Sequence, residues 1–331
     1  MSFEIRAAGA SDQAEVTALV REMIPGVDAD RRLAWLYRDN PAGPALTWIA
    51  YEGGEAAGCT SYFPFRLQLD GASMLGALGG DGYVRPKFRR RGLGGILHEA
   101  ARREMRAHGI GCMYGAPGAM NLTPLKHGGS REVGHVARWV RPLRGAALGL
   151  RARPLDALVR GVLRPRLAPY LDPMTRHDPR VDEVWHAASP LVRLGARRDA
   201  RFYTWRFLDA PAHREPAYVI VQRGRPIGAC ALEMMNDGET MRIVDLIAVP
   251  GAWNTCLAAI ARHAAETDAH TLDIKLMAID GRRRSMWRAG FLERDAKPFL
   301  VVIPRDGDRR FLDPLRWFYC GADSDLDSLD G

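Results

Sequence analysis

Cysteine is scarce in this chain, and its pattern excludes two classes of fold. Cys59, Cys112, Cys230, Cys256 and Cys320 contain no CxxC pair and are odd in number. They offer neither a disulfide framework nor a cysteine-based zinc site, and no metal is expected; a reducing, cytoplasmic setting is. Long apolar runs are missing too. No stretch of about 18 apolar residues occurs, so no membrane-spanning helix is predicted. The opening MSFEIRAAGASD lacks the apolar core of a signal peptide. Nor is there a large excess of one charge. Forty-seven Lys and Arg against 39 Asp and Glu leave +8, enough to favour an anionic ligand but no argument for a nucleic-acid partner.

What is present is 331 residues, 47% of them apolar, a length comfortable for two globular domains. The most informative stretch is Asp81–Met105, DGYVRPKFRRRGLGGILHEAARREM. Tyr83 and Val84 favour an extended chain, and Pro86 stops it. Arg89, Arg90 and Arg91 follow, with Gly92, Gly94 and Gly95 directly after them. From Leu93 the apolar residues Leu93, Ile96, Leu97, Ala100, Ala101 and Met105 fall at helical spacing. The order is strand, glycine-rich basic turn, helix. The first turn of a helix leaves backbone N–H groups unpaired and its dipole favours an anion. Glycines let a ligand approach the backbone, and arginines add fork-shaped donors. A phosphate or diphosphate ligand follows. A Walker loop is excluded because the Gly-Lys-Ser/Thr ending is missing; a dinucleotide fingerprint is excluded because its third glycine is missing.

The spacing Arg89-x-x-Gly92-x-Gly94, set after Val84 and Pro86, resembles the pyrophosphate loop of GNAT-type N-acyltransferases. That resemblance implies an α/β fold with a mixed, mainly antiparallel sheet flanked by helices, and acetyl-CoA or another acyl-CoA as co-substrate. Its diphosphate would lie on Arg89, Arg90, Arg91, Gly92, Leu93, Gly94 and Gly95, and its pantetheine arm along the strand ending at Val84 and against Asn121. It also implies acyl transfer to a small amine such as an amino sugar, amino acid or peptide. Asp81 stands where relatives place a carboxylate base. The place of the usual acid, a tyrosine, falls on Leu125, a departure that turns attention to Tyr83, Tyr114 or His127. A non-catalytic acyl-CoA-binding or scaffolding protein is the alternative.

Elsewhere the pattern predicts a strand at Phe3–Arg6, a helix after Ser11 and another over Ala29–Arg38. Hairpins are expected at Gly53-Gly54 and Asp70-Gly71, between strands 47–51 and 57–63 and between strands 66–69 and 74–78. Ile110–Tyr114 reads as a further strand. The second half repeats the first. WLYRDNPA at 35–42 returns as WRFLDAPA at 205–212, Gly58 matches Gly228, and the strand from Asp81 to Pro86 matches that from Asp245 to Pro250. After Pro250 no basic glycine loop follows. The expected organisation is therefore a GNAT-like acyl-CoA domain at 1–137, a basic Arg/Pro-rich linker at 138–184, a degenerate GNAT-like domain at 185–312 and a tail at 313–331, acidic and frayed from Asp323. The arginine-rich stretch 138–170, interrupted by Pro142, Pro154, Pro165 and Pro169, reads as a linker that packs its leucines on the domains and solvates its arginines, with peripheral contact with an anionic membrane or an acidic partner as the alternative.

Overall fold

The computed structural model describes residues 3–144, 168–211, 216–235, 238–277 and 281–324. They form two compact units. The first holds the chain as far as His135 together with Lys297–Trp317; the second holds Val136–Ala296 and the chain from Phe318.

The first unit is an α/β structure in chain order β1 (Glu4–Ala7), α1 (Gln13–Met23), α2 (Ala29–Arg32), β2 (Leu46–Glu52), β3 (Glu55–Leu69), β4 (Ala72–Val84), α3 (Leu93–Glu104), β5 (Ile110–Gly115) and α4 (Ala119–His127). Strands β1 to β4 are antiparallel neighbours, and β5 runs parallel to β4. The β3–β4 turn is tight because Asp70 and Gly71 both take left-handed backbone angles, φ 48° and 88°. The sequence predicts one strand on each side of Pro64, 57–63 and 66–69; a single 15-residue strand is found instead. Pro64 opposes Ala77 of β4, and its carbonyl accepts from Asn40 Nδ2 at 2.9 Å, on the edge where β2 has already ended. The missing N–H therefore costs no ladder bond. The glycines at 79, 80 and 82 likewise do not interrupt β4. The chain bulges: Tyr83 pairs with Cys59, Gly80 with Ser61, and Asp81 between them adopts φ 44°.

Two apolar clusters cover the sheet. Leu93, Leu97, Ala101 and Met105 of the α3 region pack with Trp48, Tyr62, Ala77 and Met113. Val16, Leu19 and Val20 of α1 pack with Ile49, Tyr51 and Cys59. Burying each leucine or valine contributes about 1.5–3 kcal/mol, so the helical stripe read from the sequence is what fixes α3 on the sheet.

The chain continues through β6 (Arg131–Pro142) into the second unit, whose elements are β7 (Tyr170–Pro173), α5 (Pro179–Ala188), β8 (Leu194–Ala196), α6 (Ala200–Tyr203), β9 (Ala217–Gln222), β10 (Arg225–Met235), β11 (Thr240–Ala248), α7 (Trp253–Glu266), β12 (Thr271–Leu276) and α8 (Gly281–Arg288), before β13 (Leu292–Val302) carries it back to the first. Strands β7, β9, β10 and β11 are antiparallel in that order, and β12 runs parallel to β11. Beyond β12 lies the end of β6, with Thr271 opposite Pro142. The matching place in the first unit, beside β5, is taken by Leu300–Val302 of β13. Each sheet is thus closed by a strand from far along the chain.

The repeated sequence corresponds to repeated local structure. The four-residue helices α2 and α6 each run on into a π turn, Leu33–Arg38 and Thr204–Leu208. The Asp39 amide donates to Ala34 O and the Asp209 amide to Thr204 O, both at 2.9 Å and 170 residues apart. Both β3–β4 and β10–β11 carry a register shift near the matched aspartates. Much of the basic stretch 138–170 lies outside the described residues. No helix among those described is long and apolar enough to cross a membrane. Asp323, assigned by composition to an acidic, frayed tail, is instead 1% exposed and paired with Arg198 at 2.6 Å.

Candidate acyl-CoA site

The site begins where β4 and β5 part. Their parallel pairing runs from Leu75–Ile110 to Leu78–Tyr114 and stops. Past that point β4 continues to Val84 with β3 as its strand partner on one edge. Gly79 and Gly82 are exposed there, and Gly118 is exposed after β5. An open strand edge with small residues is an invitation to strand-like pairing by a ligand carrying amide groups.

The open edge leads into the basic turn. Pro86–Phe88 make one tight turn, Arg90 takes φ 62° and Gly92 φ 74°, and α3 starts at Leu93. Two left-handed residues so close together turn successive N–H groups inward, the geometry of an anion-binding nest. The amides of Arg91 to Gly94 meet no acceptor among the described residues. A Cβ at Gly94 would sit 3.5 Å from Pro124 Cβ, so the protein itself leaves room for one. Gly95 closes the first helical turn by donating to Gly92 O at 3.1 Å.

The three arginines are not equivalent. Arg90 is exposed and has no side-chain partner among the described residues. Arg89 donates from Nε to Val84 O at 2.9 Å, with its guanidinium 5.8 Å above the Tyr83 ring. Arg91 turns away to form a two-pronged pair with Glu52, 2.8 and 2.5 Å, and covers the Phe3 ring at 4.4 Å. That pair holds the Glu52 carboxyl below its ordinary range. Arg90 is therefore the arginine of the three most available to an anion.

Asp81 is 5% exposed. Arg32 grips its carboxylate from Nε at 3.1 Å and Nη2 at 2.7 Å, and the Tyr37 hydroxyl donates to it at 2.8 Å. The Tyr37 hydroxyl oxygen also lies 3.0 Å from Ser61 Oγ, where it can accept, and Ser61 Oγ is 3.0 Å from Thr47 Oγ1. Burial first, then the Asp81 charge, pushes the Tyr37 hydroxyl well above its usual range. The aspartate in the second unit is held the same way by a different arginine: Asp245 lies 3.1 Å from Arg198 Nε, both 0% exposed. A buried Arg–Asp pair at the bulge is thus common to the unit with the basic turn and the unit without it.

Of the other sequence candidates, Tyr83 is half-buried beside the open edge, and its hydroxyl has no partner among the described residues. Tyr114 is buried among Phe65, Phe299 and Trp317. His127 is exposed at the end of α4. Asn121 sits not in a loop but in the first turn of α4, exposed, its amide donating to Gly118 O at 3.0 Å. Leu125 is half-buried on the same helix.

Sequence reasoning missed a buried polar chain behind the site. Tyr62 of β3 hydrogen-bonds His98 Nδ1, and His98 Nε2 is 3.0 Å from Ser130 Oγ. Burial holds the His98 imidazole neutral, with its pKa lowered to about 4. A side chain at Gly128 would collide with His98, so that glycine has a packing cause. The only sequence signal was a histidine on the apolar stripe of α3. No cluster of three or more metal-ligating side chains occurs among the described residues.

Comparison with known proteins gives this geometry a context. Residues 4–123 match the family model of the acetyltransferase (GNAT) domain. No curated protein matches the chain. Among solved structures, a GCN5-related N-acetyltransferase from Anabaena variabilis is 15% identical, with a TM-score of 0.68 over 91% of this chain and 73% of that one. A GCN5-related N-acetyltransferase from Kribbella flavida is 15% identical, with a TM-score of 0.63 over 91% of this chain and 71% of its own. N-myristoyltransferase of Saccharomyces cerevisiae, solved with bound myristoyl-CoA, is 14% identical, with a TM-score of 0.55 over 91% and 82% of the two chains. Residues 4–123 thus match the acetyltransferase (GNAT) domain, and along most of its length the chain shares its fold with these solved structures.

Proposed function

We propose that the protein is an acyl-CoA-dependent N-acyltransferase that moves an acyl group, acetyl in the simplest case, onto a primary amine of a small molecule. The observation that carries the reading is the open β4 edge past Leu78, running into the unpaired amides of Arg91–Gly94 beside Arg90. The edge suits a pantetheine arm, and the nest with its arginine suits the diphosphate. The two units are read as copies of one fold, of which the second has lost the loop.

In the reaction the neutral amine attacks the thioester carbonyl carbon, a C–N bond forms and the C–S bond breaks. A backbone N–H near Val84 stabilises the oxyanion. Tyr83, with its free hydroxyl, gives a proton to the departing thiolate, and the proton of the amine passes to water. Asp81 stands at the position of a base, but both its oxygens are occupied and Asp245 repeats its burial without a cradle. We therefore give Asp81 the task of holding the bulge. The five free, buried cysteines agree with a reducing, cytoplasmic setting. An acyl-CoA-binding protein without turnover is the second reading, favoured by Leu125 at the tyrosine place. The deciding experiment follows free-CoA release from acetyl-CoA with a panel of small amines. Amine-dependent release supports transfer; tight CoA binding with no release for any amine supports the second reading; no CoA binding removes both.

A further inference from the structure

The parallel strands of the second unit also part. Pairing of β11 with β12 runs from Thr240–Thr271 to Ile243–Ile274 and ends there, two residues before Asp245. Here the divergence is filled. Phe318–Asp323 enters it as a strand-like segment: the Phe318 amide donates to Leu194 O at 2.7 Å, the Met277 amide donates to Tyr319 O at 3.0 Å, and Cys320 bridges Leu276 in antiparallel fashion. Gly321 then lies against the backbone of β11, where a Cβ would fall 2.8 Å from Val244 O. Arg198 fastens the far end by joining Asp245 to Asp323, and the Cys320 thiol donates to Asp245 Oδ1 at 2.8 Å. All of Phe318–Asp323 is buried. On the helix that follows β11, Ala252 caps α7, and no arginine occurs between Arg242 and Arg262.

From this geometry we infer that the ligand of the second cleft is a peptide, the chain's own segment Phe318–Asp323, docked by strand addition between β11 and β12. The segment satisfies backbone groups at the divergence and supplies the apolar side chains Phe318 and Tyr319. The cleft therefore has no place for the arm of a thioester co-substrate. The charge arrangement is selective as well. One arginine faces two carboxylates, and burial pushes the Asp323 carboxyl up while Arg198 pulls it down. An acidic residue following a small one is what this end of the cleft accepts.

Thiol alkylation of the intact protein, mapped by mass spectrometry, tests the inference. Cys320 reports on the segment, Cys230 and Cys256 on the core of the second unit, and Cys59 and Cys112 on the first. In the native protein Cys320 should react at least ~100-fold more slowly than in denaturant, since a docked segment must open before labelling. Gly321→Val places a side chain against Val244 O and should expel the segment. Cys320 labelling should then rise by at least ~10-fold while the other four cysteines stay protected. Fast labelling of Cys320 in the native protein would overturn the inference. So would Gly321→Val with Cys320 still protected, which would mean that close approach to β11 does not seat the segment. Cys230 and Cys256 becoming labelled together with Cys320 would also contradict it, by making the segment part of the core and not a docked ligand.

Discussion

The two places where parallel strands part are alike in backbone and opposite in content. In the first unit the edge of β4 past Leu78 is open, glycine-lined and continued by a nest of free amides. In the second, the gap past Ile243 holds Phe318–Asp323, and the helix beyond has a single glycine, Gly251, before its cap and no arginine at its start. Both keep the buried Arg–Asp pair at the bulge, yet through different arginines, Arg32 and Arg198. The element common to both is assigned to the fold, and the element confined to one is the one proposed to serve a ligand. The comparison thereby separates architecture from chemistry within one chain.

That separation can be broken most forcefully at the arginines. Arg198→Met strands Asp245 and Asp323 without a cation, and Arg32→Met does the same to Asp81; each should cost about 3–5 kcal/mol, read by denaturant titration. A loss below ~1 kcal/mol for either would mean that the pair does not hold its bulge. Next in size is Tyr83→Phe. If its hydroxyl protonates the thiolate, kcat should fall by about 10²-fold or more with the dissociation constant for CoA unchanged. Asp81→Asn sharpens the contrast from the other side. The melting temperature should drop, while activity per folded molecule changes less than about tenfold, short of the loss expected for a general base. Smallest is Arg90→Ala, which should weaken CoA about fivefold, roughly 1 kcal/mol, whereas Arg91→Ala should change it less, since Arg91 is occupied by Glu52.

Local signals in the sequence read well. The Asp70-Gly71 turn, the stripe of α3, the basic glycine turn and the WxxxDxPA repeat each depend on residues close together, and each has its counterpart in the structure. Pairings over long separations did not show. Nothing in the composition of 136–142 or 297–302 says which sheet it will close, because a strand's pattern fixes its faces but not its neighbour. Asp323 looked like part of an acidic tail because its cation, Arg198, lies 125 residues earlier. The strand position of Asp81 is visible in the sequence, and the Arg32 that pairs with it is not. The His98 chain stayed hidden for the same reason: its partners, Tyr62 and Ser130, come from β3 and the turn after α4.

The central claim is that acyl-CoA binds at the first divergence and not at the second. Calorimetric titration of CoA into the intact protein, alongside Gly94→Val, tests it most directly. The account predicts one site per chain, with the Gly94→Val protein folded but at least tenfold weaker, about 1.4 kcal/mol, because the added side chain stands where the diphosphate must approach. Two sites per chain, or unchanged affinity in Gly94→Val, would contradict it.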